Sequence, residues 1–503
     1  MTSFLTLPIE LVYRILDNLD KLTIFCSMQN VCVRFNIILN TYHRYKTLTK
    51  LDLRWNEFNN EKTKELVDTI KHFKTLITLN LAFNEIGLEG VQHLANALLH
   101  NETLITLDIS FNGIGTQLAE YFANVLRQNK TLTTLRLSGN EIGEQGVQHL
   151  ANALLQNKTL TGLYLNSNQI GDLGFKHLIN VLQHNKTLNS LDIGHNEIES
   201  LEAIEHLANV LRENQTLKTL DLRNNNIGIQ GMQYLASALI KNTTLIELNI
   251  HENNIGVEGA QYLRNILQQN ETLMILDIGS NHIGNRGAHD FADGLRQNYT
   301  LTTLDICKNG VGSEGAEHLA NALQQNKALI SLDLNGNQIG PRGAEYFANT
   351  LRYNKTLTTL DLYGNRIRSE GAQYLAIALE QNKTLTTLGL SCNSINDNGV
   401  QYFANALLQN KTLKNLELRE NNIGSQGVEY IAIALKQNKT LISIDLRSNH
   451  IGAQGVQYLA KALQQNQTLR TLNIINNSIL DEGKRYAKDI LKHNSHLELH
   501  FNY

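Results

Sequence analysis

The sequence has 503 residues, of which 42% are hydrophobic and 18% charged, and its net charge is −3. Nucleic-acid-binding domains carry a clear excess of Lys and Arg, so this charge argues against nucleic acid as the main partner. No apolar run approaches the roughly 18 residues that a membrane-spanning helix needs, so no membrane segment is predicted.

The chain has four cysteines, and none of them lies at a spacing typical of a metal site. No CxxC pair and no His-paired cysteine occurs, so we predict reduced thiols and no metal centre. The first residues have no basic segment ahead of their apolar run, which argues against a signal peptide. We therefore expect an intracellular protein that resides in the cytoplasm, or in the nucleus as well.

Residues 1–46 predict a separate module of three short helices. Pro8 stands where a helix can begin. The first helix then carries a stripe of apolar side chains spaced four residues apart, Leu11, Ile15 and Leu19. Two further apolar groups, at 22–28 and 31–39, predict the other two helices.

Several residues of this module match a known motif. They are Leu7-Pro8, Glu10-Leu11, Ile15-Leu16, Leu19, Val31-Cys32 and Arg34-Phe35. On these residues the module resembles the F-box, which binds the adaptor of SCF-type ubiquitin ligases. In that family the leucine-proline start and the Val-Cys-x-Arg-aromatic run lie on or beside the surface that docks the adaptor, itself bound to a cullin scaffold.

The resemblance implies a set of adaptor-binding residues: Leu7, Pro8, Leu11, Ile15, Leu16, Val31, Cys32 and Phe35. The sequence departs from the family pattern at Phe35, where tryptophan is commoner, and no Leu-Trp pair follows. A second interpretation therefore stays open. The first repeat of a solenoid needs a cover, and a small helical module rich in Leu and Ile could serve only as that cap.

From residue 47 to 503 the sequence consists of copies of one unit of 28 residues, such as 131–158. An asparagine marks each copy. Its sixteen positions are Asn56, Asn84, Asn112, Asn140, Asn168, Asn196, Asn225, Asn253, Asn281, Asn309, Asn337, Asn365, Asn393, Asn421, Asn449 and Asn477. Every step is 28 residues except one of 29 between Asn196 and Asn225. A period of this length predicts a solenoid.

Within the unit the apolar spacing changes halfway. Leu135 and Leu137 alternate with polar residues, which predicts a short strand with one buried face. The apolar residues that follow have helical spacing: Val147, Leu150, Ala151 and Leu154. The pattern LxxLxLxxN followed by a helix matches the leucine-rich repeat, and NxIGxxGxxxLAxALxxNxTL resembles its ribonuclease-inhibitor-like subclass. The predicted fold class is α/β: a horseshoe solenoid of about sixteen repeats with a parallel inner sheet, outer helices and a C-terminal cap from about residue 478.

Polar and small residues should shape each turn of the solenoid. The amide of Asn140 can satisfy backbone groups that the bend would otherwise leave unpaired. We expect Gly143 and Gly146 to give the turn its backbone freedom, and Asn157 to end the helix in the left-handed conformation.

Strand residues between the leucines should face the concave surface, where a partner would bind. One column of these residues is acidic in ten of sixteen repeats, and four aspartates follow one another: Asp277, Asp305, Asp333 and Asp361. Stacked like charges repel unless cations relieve them, which favours a protein substrate with a basic patch. The other interpretation is that aspartate is simply the default of this repeat.

Departures from that default mark further candidate substrate-binding residues. Arg136 and Tyr164 interrupt the acidic column, and the next column contains Tyr363, Arg419 and Arg447. Large aromatic residues also occupy one site in three successive repeats: Trp55, Phe83 and Phe111. Such residues are typical of binding hot spots, although this site adjoins the asparagine turn and could be covered by the loop.

No catalytic or nucleotide-binding motif of the GxxxxGK[ST], HExxH or GxSxG type occurs, so we predict no enzymatic activity and no cofactor. The resemblance to F-box proteins with leucine-rich repeats implies a substrate-recognition subunit of an SCF-type E3 ubiquitin ligase. The N-terminal module would bind the adaptor, and the concave face would bind a protein substrate. The alternative is a non-catalytic scaffold or ligand sensor whose first helices only cap the repeats.

Overall fold

The computed structural model describes residues 48–70, 75–494 and 496–501. The predicted F-box-like module, with its adaptor-binding residues, lies outside the described residues, so its role stays a prediction. Those residues are Leu7, Pro8, Leu11, Ile15, Leu16, Val31, Cys32 and Phe35. The chain divides into two compact units, 1–226 and 227–503.

In the first unit short strands alternate with helices. The strands are β1 (Lys50–Asp52), β2 (Thr78–Asn80), β3 (Thr106–Asp108), β4 (Thr134–Arg136), β5 (Gly162–Tyr164), β6 (Ser190–Asp192) and β7 (Thr219–Asp221). The helices are α1 (Asn60–Ile70), α2 (Leu88–Leu98), α3 (Thr116–Gln128), α4 (Gly143–Leu154), α5 (Gly171–His184) and α6 (Leu201–Glu213). Each strand pairs in parallel with the strand of the next repeat, from β1 to β7.

The second unit continues the same alternation. Its helices are α7 (Gly228–Leu239), α8 (Gly256–Gln269), α9 (Gly284–Gln297), α10 (Ser313–Gln325), α11 (Gly340–Leu351), α12 (Arg368–Gln381), α13 (Asn396–Gln409), α14 (Ser425–Gln437), α15 (Gly452–Leu463) and α16 (Asp481–His493). Its strands are β8 (Glu247–Asn249), β9 (Ile275–Asp277), β10 (Thr303–Asp305), β11 (Ser331–Asp333), β12 (Thr359–Asp361), β13 (Thr387–Gly389), β14 (Asn415–Glu417), β15 (Ser443–Asp445), β16 (Thr471–Asn473) and β17 (Glu498–His500). Parallel pairs again join neighbouring repeats, from β8 to β17.

The core of each repeat lies between its strand and its helix. Leu135 and Leu137 from the strand and Val147 and Leu150 from the helix are all 0% exposed. Because the same positions recur every repeat, neighbouring repeats share one continuous apolar layer. The predicted α/β solenoid of leucine-rich repeats is therefore confirmed.

The repeating asparagine holds successive turns together. The Asn140 amide group donates hydrogen bonds to the carbonyl oxygens of Ile109 in the preceding repeat (3.0 Å) and of Leu137 in its own (3.1 Å). Its Oδ1 accepts from the backbone N–H of Asn112, also in the preceding repeat, at 3.1 Å. The side chain is 0% exposed, so each of these backbone groups would lose its partner if the amide were removed.

The asparagine that ends each helix acts differently from our expectation. The equivalent Asn129 has φ −70° and ψ 135°, an extended conformation, and Asn157 has no positive φ either. The Asn157 amide donates to the carbonyl oxygen of Leu126 in the preceding repeat (2.7 Å), and its Oδ1 accepts from the N–H of Leu160 (2.7 Å). The prediction that this asparagine ends the helix in the left-handed conformation was therefore wrong. Its side chain instead connects the helix end to the next strand.

The two glycines of the turn also have different roles. Gly143 has a φ of +66°, so it supplies the backbone freedom that we expected. Gly146 lies inside α4, where an added Cβ would be 3.1 Å from the Cβ of Ala119 on the neighbouring helix and would overlap Ile142. Gly146 is thus required for close helix packing, and the prediction of turn freedom was wrong for it.

The last helix of the described chain differs from the others on one face. Val456 and Ala460 of α15 are buried, whereas the equivalent positions of α16 carry Lys484 and Lys488. Polar residues at such positions suit the outer face of an end repeat. The start of the C-terminal cap near residue 478 stays a prediction.

Candidate protein-binding face

The strands of both units expose one row of side chains on each side of a buried leucine. Thr134 and Arg136, for example, flank Leu135 and remain half-exposed. Because successive strand residues point to opposite faces, these side chains point away from the helices. We call this surface, together with the residues two and three positions after each strand (Ser138 and Gly139 in this repeat), the open sheet face.

The aspartates of the open sheet face are bound to their own backbone. Asp277 Oδ1 accepts a hydrogen bond from the N–H of Gly279 at 2.9 Å, and Asp333 Oδ1 accepts from the N–H of Asn335 at 2.8 Å. Asn80 makes the same contact with Ala82 at 2.9 Å. The alternation of Asp and Asn in this column was the sequence signal for this local bond, which our sequence analysis missed. This hydrogen bond gives a structural reason why aspartate is the usual residue at this position of the repeat.

The four consecutive aspartates form what we call the acidic row: Asp277, Asp305, Asp333 and Asp361. At one end His251 lies 3.2 Å from Asp277, and the Asn335 amide donates to Asp333 and Asp361 at 3.1 and 3.2 Å. No Lys or Arg within the described residues forms an ion pair with the row.

The charge of the acidic row is weaker than its composition indicates. Burial, followed by repulsion from its neighbours Asp305 and Asp361, raises the pKa of Asp333 to about 7. Burial and the nearby Asp277 also raise the pKa of Asp305. The row therefore carries fewer than four full negative charges near neutral pH, and a basic patch on the partner stays a prediction.

Further along the second unit, two of the predicted contact residues meet a cysteine. The Cys392 thiol donates a hydrogen bond to Glu420 at 3.2 Å, and Arg419 pairs with the same carboxylate. Tyr363, which is 39% exposed, interacts with Cys392 through its hydroxyl group. Burial raises the pKa of the Cys392 thiol, which lowers its thiolate fraction.

The three aromatic residues of the first repeats are stacked on one another. The ring centroids of Trp55 and Phe83 are 4.3 Å apart with an interplanar angle of 12°, and those of Phe83 and Phe111 are 4.5 Å apart with an angle of 6°. Trp55 is 73% exposed and Phe111 is 39% exposed. We call these three residues the aromatic ladder. The loop does not cover them.

The turn does not require an aromatic residue at this position. The residue before the repeating asparagine has a positive φ in every described repeat, 60° at Trp55 and 55° at both Phe83 and Phe111. Later repeats place smaller residues there, such as Gly139 and Ser167. A non-glycine residue in the left-handed region costs roughly 1–3 kcal/mol, and across the three aromatic residues stacking returns this only in part, at about 0.5–1.5 kcal/mol per pair.

Stacking also decides what the aromatic ladder can bind. The facing surfaces of the three rings cover one another, so within the described residues the ladder presents ring edges and the outer face of Trp55. At its far end the Phe111 ring lies over Gly139, where a Cβ would overlap it. Ring edges suit apolar and aromatic side chains of a protein, whereas cations and nucleobases bind to ring faces.

A sequence model described as "Leucine Rich repeat" matches most of the chain. The matched residues are 46–61, 74–95, 100–117, 128–151, 156–177, 184–201, 213–236, 241–263, 269–292, 297–320, 325–348, 353–376, 381–404, 409–432 and 437–460. The class is thus a repeat protein of the kind that binds other proteins, and the chain belongs to the leucine-rich repeat family. No curated protein matches the sequence.

Two of the solved structures that match the chain illustrate how low the similarity is. One is leiomodin-1 actin-binding site 2, with 24% identity over 31% of this chain and 89% of that chain and a TM-score of 0.27. The other is the complex of Rad7 and Elc1 in yeast, with 14% identity over 88% of this chain and 92% of that chain and a TM-score of 0.48. Likenesses of this size carry no argument about function.

The described residues also bear on two other kinds of site. Within them, no group of His, Cys, Asp and Glu side chains is arranged to hold a metal ion. None of the helices in the same ranges is long and apolar enough to cross a membrane.

Proposed function

We propose that the chain is the substrate-recognition subunit of an SCF-type E3 ubiquitin ligase. In this proposal the N-terminal module binds the adaptor, and the open sheet face binds a protein substrate. Membership of the leucine-rich repeat family supports a protein-binding role. The adaptor-binding half rests on the resemblance of residues 1–46 to the F-box.

The aromatic ladder is the observation that best supports the proposed binding of a protein substrate. Trp55 and Phe111 are exposed and Phe83 is half-buried, their backbone conformation disfavours non-glycine residues, and Gly139 and Ser167 serve at the same position in the next repeats. Exposed, rigid aromatic clusters are the usual anchors of protein interfaces. A contact surface for a protein explains why three successive repeats carry such residues.

The chain itself would perform no chemistry in this role. A receptor of this kind holds its target beside the catalytic partner of the ligase and so makes ubiquitin transfer effectively intramolecular. The rival function is a non-catalytic scaffold or ligand sensor, in which the N-terminal helices only cap the first repeat.

Binding to purified adaptor separates these two functions. We expect the full chain to retain the adaptor and a Pro8→Ala/Leu11→Ala chain to lose it. The matched control is Leu173→Ala, which removes a leucine that is 55% exposed on α5, and this variant should bind normally. A wild-type chain that fails to retain the adaptor, or a double variant that retains it equally, leaves the scaffold as the function.

A further inference from the structure

Arg136 differs from the other arginines of the open sheet face. Each of the others pairs with a carboxylate: Arg54 with Asp52 (2.8 Å), Arg223 with Asp221 (2.7 Å), Arg447 with Asp445 (2.6 Å), and Arg419 with Glu420. Arg136 makes no hydrogen bond and no ion pair within the described part of the chain. Its guanidinium group therefore keeps all of its N–H donors available.

The Arg136 side chain is nevertheless held in place. Its guanidinium carbon lies 3.7 Å from the centre of the Tyr164 ring, over the ring face. The Tyr164 hydroxyl accepts a hydrogen bond from Ser190 at 3.3 Å, and its ring lies above Gly162, where a Cβ would be 3.3 Å away. A guanidinium group stacked in this way is oriented in advance, so little conformational entropy is lost when its edge binds an anion.

Within the described residues no carboxylate forms an ion pair with Arg136, although the guanidinium charge acts at longer range on Asp192. Asp108, its neighbour in the sheet register, uses Oδ1 for the N–H of Ser110 at 3.0 Å and lies beyond ion-pair distance of Arg136. On the other side the equivalent position is Tyr164. The nearest acidic position after it, Asp192, pairs with Arg223 at 3.4 Å.

A second donor lies next to this arginine on the open sheet face. Ser138 donates a hydrogen bond to Oδ1 of Asn166, and the Asn166 Nδ2 makes no hydrogen bond within the described residues. Asn166 lies two residues after Tyr164, as Ser138 lies two residues after Arg136. Arginine and a side-chain amide thus form a patch rich in donors.

The aromatic ladder ends beside this patch. Phe111 lies over Gly139, which follows Arg136 by three residues in the same repeat. All of these residues belong to the first unit. An apolar contact surface and an unoccupied cation are therefore neighbours on one face of the protein.

Building on the proposed function, we propose that the first unit recognises a protein segment in which an apolar side chain lies close to an anionic group. The apolar side chain would contact the aromatic ladder, and the anion would bind the Arg136 edge together with the Asn166 amide. A carboxylate and a phosphorylated serine offer the same chemistry to a planar guanidinium. This partner differs from the basic patch predicted for the acidic row, which lies in the second unit.

Selection of random peptides displayed on phage tests this specificity with the full chain as bait. We expect the wild-type chain to enrich an apolar residue close to Asp or Glu. The best sequence is then synthesised with Asp, phosphoserine or Lys at the charged position, and its affinity is measured by fluorescence anisotropy. The Asp and phosphoserine arms decide between the two anions, and the Lys peptide should bind more weakly than either.

The decisive comparison is between the peptide affinities of the wild type and those of the Arg136→Gln variant. This variant should bind the tighter of the two anionic peptides about tenfold more weakly, which is the loss expected for a charge-assisted pair. Its affinity for the Lys peptide should be unchanged. Arg127→Gln removes an exposed arginine from the last turn of α3, on the helix side of the same unit, and it should leave both affinities unchanged. Thermal unfolding of the two variants confirms that each is folded.

Two results overturn this inference. One is enrichment of basic or uncharged peptides, or of none, by the wild-type chain. The other is an anionic peptide whose affinity does not change in Arg136→Gln. If the affinity of the enriched peptides depends on Phe83 and not on Arg136, the proposed receptor function is retained and only the anion specificity is rejected. Failure of the adaptor experiment affects only the ligase role.

Discussion

At the scale of single residues, side-chain amides replace the backbone contacts that a tight solenoid turn cannot make. Asn140 joins the carbonyl oxygens of two repeats and accepts an N–H of the preceding one. Asn157 does the same between a helix end and the next strand. Each repeat is therefore fixed to its neighbour through polar side chains inside an apolar layer.

Replacing Asn140 by Leu tests this role. The change keeps the side-chain size but leaves buried backbone groups unpaired, each worth about 1–3 kcal/mol, so we expect clear destabilisation of the surrounding repeats. Hydrogen exchange should show loss of protection around residues 109–140. Asn124→Leu, the same substitution on the exposed face of α3, should have little effect. Equal protection in both variants would refute the proposed role.

The aromatic ladder makes a second prediction at this scale. Phe83→Gly removes two stacking contacts and also relieves the strain of a side chain at positive φ, and these effects oppose each other at about 1 kcal/mol each. We expect a nearly unchanged unfolding free energy, measured by chemical denaturation, because glycine occurs naturally at the equivalent Gly139. A large loss of stability would show that the ladder serves the fold and would weaken its assignment as a binding surface.

At the scale of strands, the acidic row makes stability depend on pH. A carboxyl group whose pKa is raised on folding favours the folded state when protonated, so its contribution is present below its ordinary pKa of about 4 and is lost as the pH rises through the folded value. For Asp333 that value is about 7. Its contribution to stability should therefore fall between about pH 4 and about pH 7.

The substitution Asp333→Asn isolates this effect. Asparagine can still accept the backbone N–H, as Asn80 does, but it carries no charge. The variant should be more stable than the wild type at pH 8 and should lose part of the pH dependence, as measured by urea denaturation across this range. An unchanged pH profile would show that Asp333 stays ionised in the folded protein.

At the scale of the whole molecule, the period of the sequence determined most of the fold. Strands and helices could be predicted because every repeat buries the same positions against its neighbours, as Leu135 and Leu150 show. The conformation at Asn157 could not be predicted, and neither could the hydrogen bonds between the aspartates and the backbone. Both depend on side-chain geometry within a turn. For the binding face, the spacing predicted the ladder, but only the structure showed that its rings stack and that Trp55 and Phe111 remain exposed.

We propose that this chain holds a target protein on its aromatic ladder while its N-terminal module holds the ligase adaptor. The most direct test is quantitative mass spectrometry of proteins that co-purify with the full chain when the proteasome is blocked. The wild type is compared with Trp55→Ser/Phe83→Ser/Phe111→Ser and with Tyr353→Ser, which changes a tyrosine that is 73% exposed next to α11. We predict that the triple variant keeps the adaptor and loses target proteins that the Tyr353 variant retains. The same set of proteins in all three samples, or a wild type without adaptor, would contradict the claim.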